Sequence, residues 1–362
     1  MKARMSGHCS PRILEVGEVS RMSHAFPDTT EFFSTFVRGT ERNTPPGTKL
    51  ISAATLCTLF RRLSDSAIDL IVVHAAPHGV LEGIVRTVFR RSTLSGHLPI
   101  FRAFSQQLFR RSTKAPVAVL DLQDSPSILP CNRHLLECST LYFKRELPLD
   151  RWRLFTASGK TPTLRYRQVS RYQHSMSRIR PLSLGLSDPV TQAGFSACPS
   201  NGKDIDVFFA GRLNHSSTVR ERGALELMQM ETEGLRIDIG EARMSPAEYL
   251  ARCARAWLVW APEGYGWDCF RPYEAALAGS VPLISRQTIE RYEPFIDNQH
   301  CIYYDVEVGH LALAVRRALQ DRGRLLRMAE AARAHMLQHH TPTALAQHVV
   351  QSTLNAARQP RP

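Results

Sequence analysis

The chain has 362 residues, 43% of them hydrophobic and 22% charged, a balance that suits two globular domains and excludes wholesale disorder. Its longest clean apolar run, 69–76, falls well short of the roughly 20 residues of a membrane-spanning helix, and no hydrophobic segment follows Lys2 and Arg4, so the expectation is a cytoplasmic protein, with a peripheral place at the inner face of a membrane as the variant. The net charge is +13, and only six of the 46 basic residues are lysines, which favours anionic partners: nucleic acid, phosphorylated small molecules or acidic lipid.

Eight cysteines show no CxxC spacing and no pairing with histidine at zinc-ligand distance, so they read as reduced thiols. From the N-terminus, 12–16 reads as a strand, 55–63 as a helix and 68–74 as a strand. Residues 80–91 and 98–111 have the spacing of amphipathic helices, with arginines mixed among apolar residues as on an interfacial face. A strand at 116–120 runs into Asp121, and 141–143 and 182–184 are shorter strand candidates. Between 151 and 187 there are seven arginines and Lys160 but no acid, and 189–203 has the Pro, Gly and Ser content of a linker.

The second half alternates more clearly. Strands are expected at 205–210, 235–239, 257–260, 281–284 and 301–304. Helices are expected at 218–230, with helical periodicity through Val219, Leu225, Leu227 and Met228, after the Ser245-Pro246-Ala247-Glu248 cap, at 272–278, and near 309–320, 323–338 and 343–357. Such alternation predicts an α/β protein with parallel, doubly wound sheets. The expected division is 1–187, a linker at 188–203, a second domain at 204–342, and a C-terminal helix and tail at 343–362 that returns to the first domain.

The stretch WLVWAPEGYGWDCFRPYEAALAGSVPLI at 257–284 carries the chemistry. Ligands of open α/β sheets bind beyond the carboxyl ends of strands. Gly264 and Gly266 would let backbone approach a phosphate, Arg271 could pair with a diphosphate as a fork, and Glu274 could accept two hydrogen bonds from a ribose diol. Each residue also has a plain reading: a tight turn, a surface arginine, an acid that complements a helix dipole. Their combination at one strand-loop-helix junction is what points to a site.

RPYEAALAGSVPL at 271–283 resembles the Arg-x-x-Glu-Ala-x-x-x-Gly-x-x-Pro segment of GT-B glycosyltransferases, in particular the exostosin-like and CgeB-like groups. DVFFAGRLNHSSTVRERGALEL at 206–227, the region 297–305 and the helix 327–340 are similar to other parts of the same domain. The resemblance implies two Rossmann-like domains facing a cleft. The C-terminal one would hold a UDP- or GDP-linked sugar, and transfer to an acceptor hydroxyl would need no metal and no further cofactor. It implies that Glu274 holds the donor ribose, that Arg271 meets the leaving diphosphate, and that Gly211 and Arg212 form the phosphate-facing turn. Glu263, Gly264, Gly266 and Asp268 complete the expected donor loop. Position 266 departs from the pattern, because retaining members carry a second glutamate there; this favours the inverting, exostosin-like comparison.

An inverting route needs a base on the acceptor side. His74, His78, Asp121 and Asp124 lie at strand ends of the first domain, and each taken alone reads first as a cap or a satisfied core residue. There is no Asp-x-Asp after an apolar strand, since Asp121-Leu-Gln-Asp124 has another spacing. Arginines interleaved with aromatics at 151–155 and 165–172 raise a competing reading, a nucleic-acid-binding module, although no helix-turn-helix, zinc-finger or RRM signature accompanies them. A non-catalytic sugar-nucleotide binder is a third. With an enzyme, the same arginines suit a glycan, a lipid-linked or other anionic acceptor, or an acidic membrane, and no nucleic acid is expected.

Overall fold

Strands and helices are laid out in a computed structural model that describes residues 10–35, 45–77, 113–156, 171–187, 190–191, 202–213, 218–240 and 244–359. The chain divides into two units: 1–181 together with 346–362, and 182–345.

The first unit is built on a seven-stranded parallel sheet. Its strands are β1 (Ile13–Gly17), β2 (Thr30–Ser34), β3 (Lys49–Leu50), β4 (Leu70–His74), β5 (Val117–Asp121), β6 (Leu141–Lys144) and β7 (Ile179–Pro181). Their order, β3-β2-β1-β4-β5-β6-β7, reverses direction between β1 and β4. Runs such as Leu70-Ile71-Val72-Val73 are wholly buried, as expected of parallel strands covered on both faces. Helix α1 (Ala53–Leu63) starts at a capping box in which Ser52 and Thr55 satisfy each other's backbone. Helix α2 (Arg133–Cys138) precedes β6.

The second unit holds a five-stranded parallel sheet of β8 (Ile205–Ala210), β9 (Ile237–Gly240), β10 (Ala256–Ala261), β11 (Val281–Ser285) and β12 (Ile302–Tyr304), in the order β9-β8-β10-β11-β12. Its direction reverses between β8 and β10. Around it lie α3 (Thr218–Thr232), α4 (Pro246–Arg255), α5 (Arg271–Leu277), α6 (His310–Leu319) and α7 (Arg322–His339). Alternate residues of its strands feed two cores: Phe208, Val259 and Ile284 on one face, Val207, Phe209, Trp260 and Leu283 on the other. Helix α8 (Pro342–Arg358) starts in the second unit and from Ala346 onward belongs to the first, where His348 meets the Phe143 ring edge-on at 5.7 Å.

Three expectations are corrected. The strand expected at 182–184 lies at Ile179–Pro181, because the backbone after it is engaged by the second unit. There Leu184 N donates to Asp268 Oδ2 at 2.6 Å, and Leu186 N donates to the His340 carbonyl at 3.1 Å. The apolar face of α3 is not the Val219, Leu225, Leu227, Met228 set. Leu225 and Met228 are exposed, and the buried stripe is Arg220, Ala224, Leu227 and Met230. Tyr172, read as part of an aromatic-arginine surface, is buried and stacked on Phe155 at 5.5 Å. The expected helices at 80–91 and 98–111, with residues 157–170 of the arginine segment, lie outside the described residues.

Candidate functional site

The reversal between β8 and β10 fixes where a ligand would sit, because the loops after these strands part there and leave a crevice. Beyond β8 the chain turns at Gly211 and Arg212; beyond β10 it runs through 262–270 into α5. Proline in the first turn of α5 sets φ without removing a needed donor. A pocket of about 270 Å³ opens at this point, lined by Ala210, Tyr249, Cys269, Phe270, Arg271 and Glu274.

Arg271 crosses from α5 to β8. Its Nε donates to the Ala210 carbonyl at 3.1 Å, and its guanidinium lies 5.0 Å from the centre of the Phe209 ring. The absent side chain of Gly211 makes room for it, since a Cβ there would collide with the Arg271 guanidinium. Glu274, one turn along, is 8% exposed, and burial pushes its carboxyl up to about 7 against the pull of Arg271. It is the one buried acid on the pocket wall.

Arg220, which the sequence reading passed over, completes the arrangement. It lies on the buried stripe of α3, Nε donates to the Glu263 carbonyl at 2.8 Å, and Nη1 donates to the Arg212 carbonyl at 3.1 Å. It thereby ties the turn after β8 to the loop after β10. Burial, then the nearby charge of Arg271, lowers it to about 10. Gly264 allows the approach: a Cβ there would sit 2.7 Å from Arg220 Nη2. Among the described residues, neither Arg220 nor Arg271 forms an ion pair with a carboxylate. An arginine in register with the core residues Ala224 and Leu227 is the signal that could have revealed it.

The other expected residues divide. Gly264 N donates to the Gly266 carbonyl at 3.0 Å, which closes a tight turn, and Glu263 N donates to Ser285 Oγ at 3.2 Å. Arg212 is exposed at the rim, and its carbonyl is held by Arg220. Asp268 is turned away into a buried network. Its carboxylate accepts from Tyr273 Oη at 2.8 Å, from Arg291 Nη2 at 2.6 Å and from the backbone of Leu184. In the first unit, Asp121 is buried and accepts from Tyr142 Oη at 2.8 Å and Lys144 Nζ at 3.1 Å, while Asp124 is half exposed and pairs with Arg145 at 2.6 Å. His78 lies outside the described residues. No group of three His, Cys, Asp or Glu residues suited to a metal ion occurs among the described residues. None of the described helices is long and apolar enough to cross a membrane.

Residues 241–351 match a protein family described as "Glycosyl transferase-like". No curated protein matches the chain at a significant level. Similar solved structures include a UDP-forming α,α-trehalose-phosphate synthase from Burkholderia vietnamiensis, 10% identical with a TM-score of 0.57 over 96% of this chain and 99% of that one. A glycosyltransferase from Rickettsia africae is 9% identical, with a TM-score of 0.56 over 97% and 100%. An α-glucosyltransferase solved with UDP and a 13-mer DNA is 9% identical, with a TM-score of 0.54 over 96% and 100%. The chain has the GT-B fold. At these identities the likeness concerns the fold, and the chemistry has to be argued from the pocket residues themselves.

Proposed function

We propose that the chain is a glycosyltransferase that moves a sugar from a nucleoside diphosphate to an acceptor hydroxyl, with the donor in the second unit. The observation that carries the reading is the convergence of Arg220 and Arg271, bonded to backbone carbonyls and to no carboxylate, beside the buried Glu274. Two guanidiniums held near each other, with no ion pair to a carboxylate among the described residues, suit an anion of two charges, such as a diphosphate. Glu274 then accepts from the ribose diol, Arg271 and Arg220 hold the diphosphate, and Gly211 and Gly264 keep the space they need.

Glycosyl transfer passes through an oxocarbenium-like state while negative charge grows on the leaving diphosphate. The guanidiniums meet that charge without a divalent cation. They matter more than the start of α5, which has only seven residues and a correspondingly short dipole. Gly266, where a retaining enzyme would place an acid, supports an inverting, exostosin-like course.

For the acceptor we propose an anionic or lipid-linked glycan met at an acidic membrane surface. Leu149 and Trp152 are exposed, with Arg151 and Arg153 on either side of Trp152 and Arg153 paired with Asp150, so two apolar side chains stand at the surface next to charged ones. The burial of Tyr172 and Phe155 speaks against a row of bases stacking on this face. The function is tested by incubating the protein with a panel of UDP- and GDP-linked sugars and following nucleoside diphosphate release. Release that requires Arg271 supports the reading; no release and no nucleotide binding refutes it.

A further inference from the structure

Tyr249 lies on α4, whose buried stripe is Leu250, Cys253 and Ala254. It stands one turn before Cys253, so its ring reaches the edge of that stripe and tilts over Phe208 of β8 at 5.8 Å. The ring lines the same pocket of about 270 Å³ as Arg271 and Glu274. Although the residue is half-buried, its Oη is shut off from solvent and completes no hydrogen bond of good geometry. A buried hydroxyl in that state is costly unless a partner is supplied.

Two groups stand close to this hydroxyl, the Cys253 thiol and the Glu274 carboxyl. Burial holds the phenol and the thiol well above their ordinary values, so both stay protonated, and Glu274 is the acceptor left for the phenol. Three side chains oppose the burial that raises Glu274: Arg271 on its own helix, Tyr249 from α4, and Ser187 from the segment ahead of β8. Of the two hydroxyls among them, only that of Tyr249 belongs to a residue of the pocket wall.

We propose that Tyr249 is a positioning residue for Glu274: in the nucleotide-bound protein its hydroxyl donates to the carboxylate from the α4 side and turns the remaining lone pairs toward a ribose diol in the pocket. This rests on the donor reading above. A carboxylate has lone pairs for about four hydrogen bonds. Glu274 then accepts three, one from the protein and two from the ligand, and such a set keeps it ionised while the nucleotide is bound. Arg271, held by the Ala210 carbonyl, is left to the diphosphate.

The test uses the full chain, titrated calorimetrically with whichever of UDP and GDP the parent binds, and with inorganic pyrophosphate. Tyr249→Phe is expected to weaken the nucleoside diphosphate about tenfold at neutral pH and to leave pyrophosphate, which has no ribose, within about twofold. Affinity rises with pH as Glu274 ionises, and in Tyr249→Phe the midpoint of that rise moves to higher pH, since a contact that lowers the carboxyl is gone. The nucleotide's own phosphate titrates alike with both proteins, so the displacement belongs to the protein. In the Glu274→Gln background, Tyr249→Phe should cost nothing further, as expected of a residue that acts through Glu274. A tenfold loss in that background or for pyrophosphate, or an unchanged affinity and pH midpoint in Tyr249→Phe, overturns the assignment and leaves the donor reading intact. A parent whose affinity varies with pH as that of Glu274→Gln does overturns it even if Tyr249→Phe fails to fold. No binding of either nucleotide by the parent overturns the donor reading, and the assignment with it.

Discussion

Arg271 Nε donates to the carbonyl oxygen of Ala210 at 3.1 Å, a bond that joins the first residue of α5 to the last residue of β8. It holds a guanidinium at the mouth of the crevice between β8 and β10, and Arg220 brings a second one from α3. Arg271→Ala should lower turnover by about 10²- to 10³-fold, the usual loss when one stabilising donor is removed from a developing anion. Arg220→Ala should act mainly on affinity, weakening nucleoside diphosphate binding by about ten- to hundredfold. Single-turnover rates and calorimetric titrations of the two variants separate these effects.

Gly264→Ala places a methyl group where Arg220 Nη2 now lies. The guanidinium can swing aside, so the melting temperature should hardly change, while diphosphate affinity should fall toward that of Arg220→Ala. Unchanged affinity in the alanine variant would mean that Arg220 does not face the ligand.

Glu274 gives a pH signature. Its carboxyl is raised by burial from 4.5 to about 7, so between these values the folded protein binds more protons than the unfolded chain. Stability therefore falls as pH rises through that window, by an amount on the order of 3 kcal/mol at most. Glu274→Gln removes the contribution: its melting temperature should fall less than the parent's between pH 5 and 8. Differential scanning calorimetry across that range checks it, and parallel curves for the two proteins would contradict it.

Much of this architecture was legible in the sequence because parallel strands covered on both faces are short apolar runs with sharp ends. Ile205–Ala210 falls where it was expected, and Val281–Ser285 exceeds its expected range by one residue. β2 and β3 were passed over: Thr30–Ser34 is only five residues long and opens on Thr and Glu, and Lys49–Leu50 is a two-residue edge. Residues of one contiguous segment, Arg271 and Glu274, could be read together as a site. Arg220 could not, since its role depends on a bond to the Glu263 carbonyl, 43 residues away, that only folding makes, and the apolar face assigned to its helix included two exposed residues. Asp268 shows the converse. Its place beside the glycines suggested a ligand contact, but its carboxylate answers Arg291 and Tyr273, which no local pattern links to it.

The exposed pair Leu149 and Trp152 predicts membrane preference. The protein should sediment with vesicles containing phosphatidylglycerol and remain free of pure phosphatidylcholine vesicles. Replacing both residues with serine should weaken the association and leave donor affinity unchanged. Equal binding by parent and variant would remove this face from the account.

The central claim is that the crevice between β8 and β10 holds a nucleoside diphosphate on Arg220, Arg271 and Glu274. Isothermal titration of the parent and of the Arg220→Ala/Arg271→Ala double variant with UDP and GDP, in EDTA, tests it most directly. The account predicts one site per chain for at least one of the two nucleotides in the parent, with binding lost in the double variant although its melting temperature stays near the parent's. Binding that survives in the double variant, or that appears only when a divalent cation is added back, would contradict it.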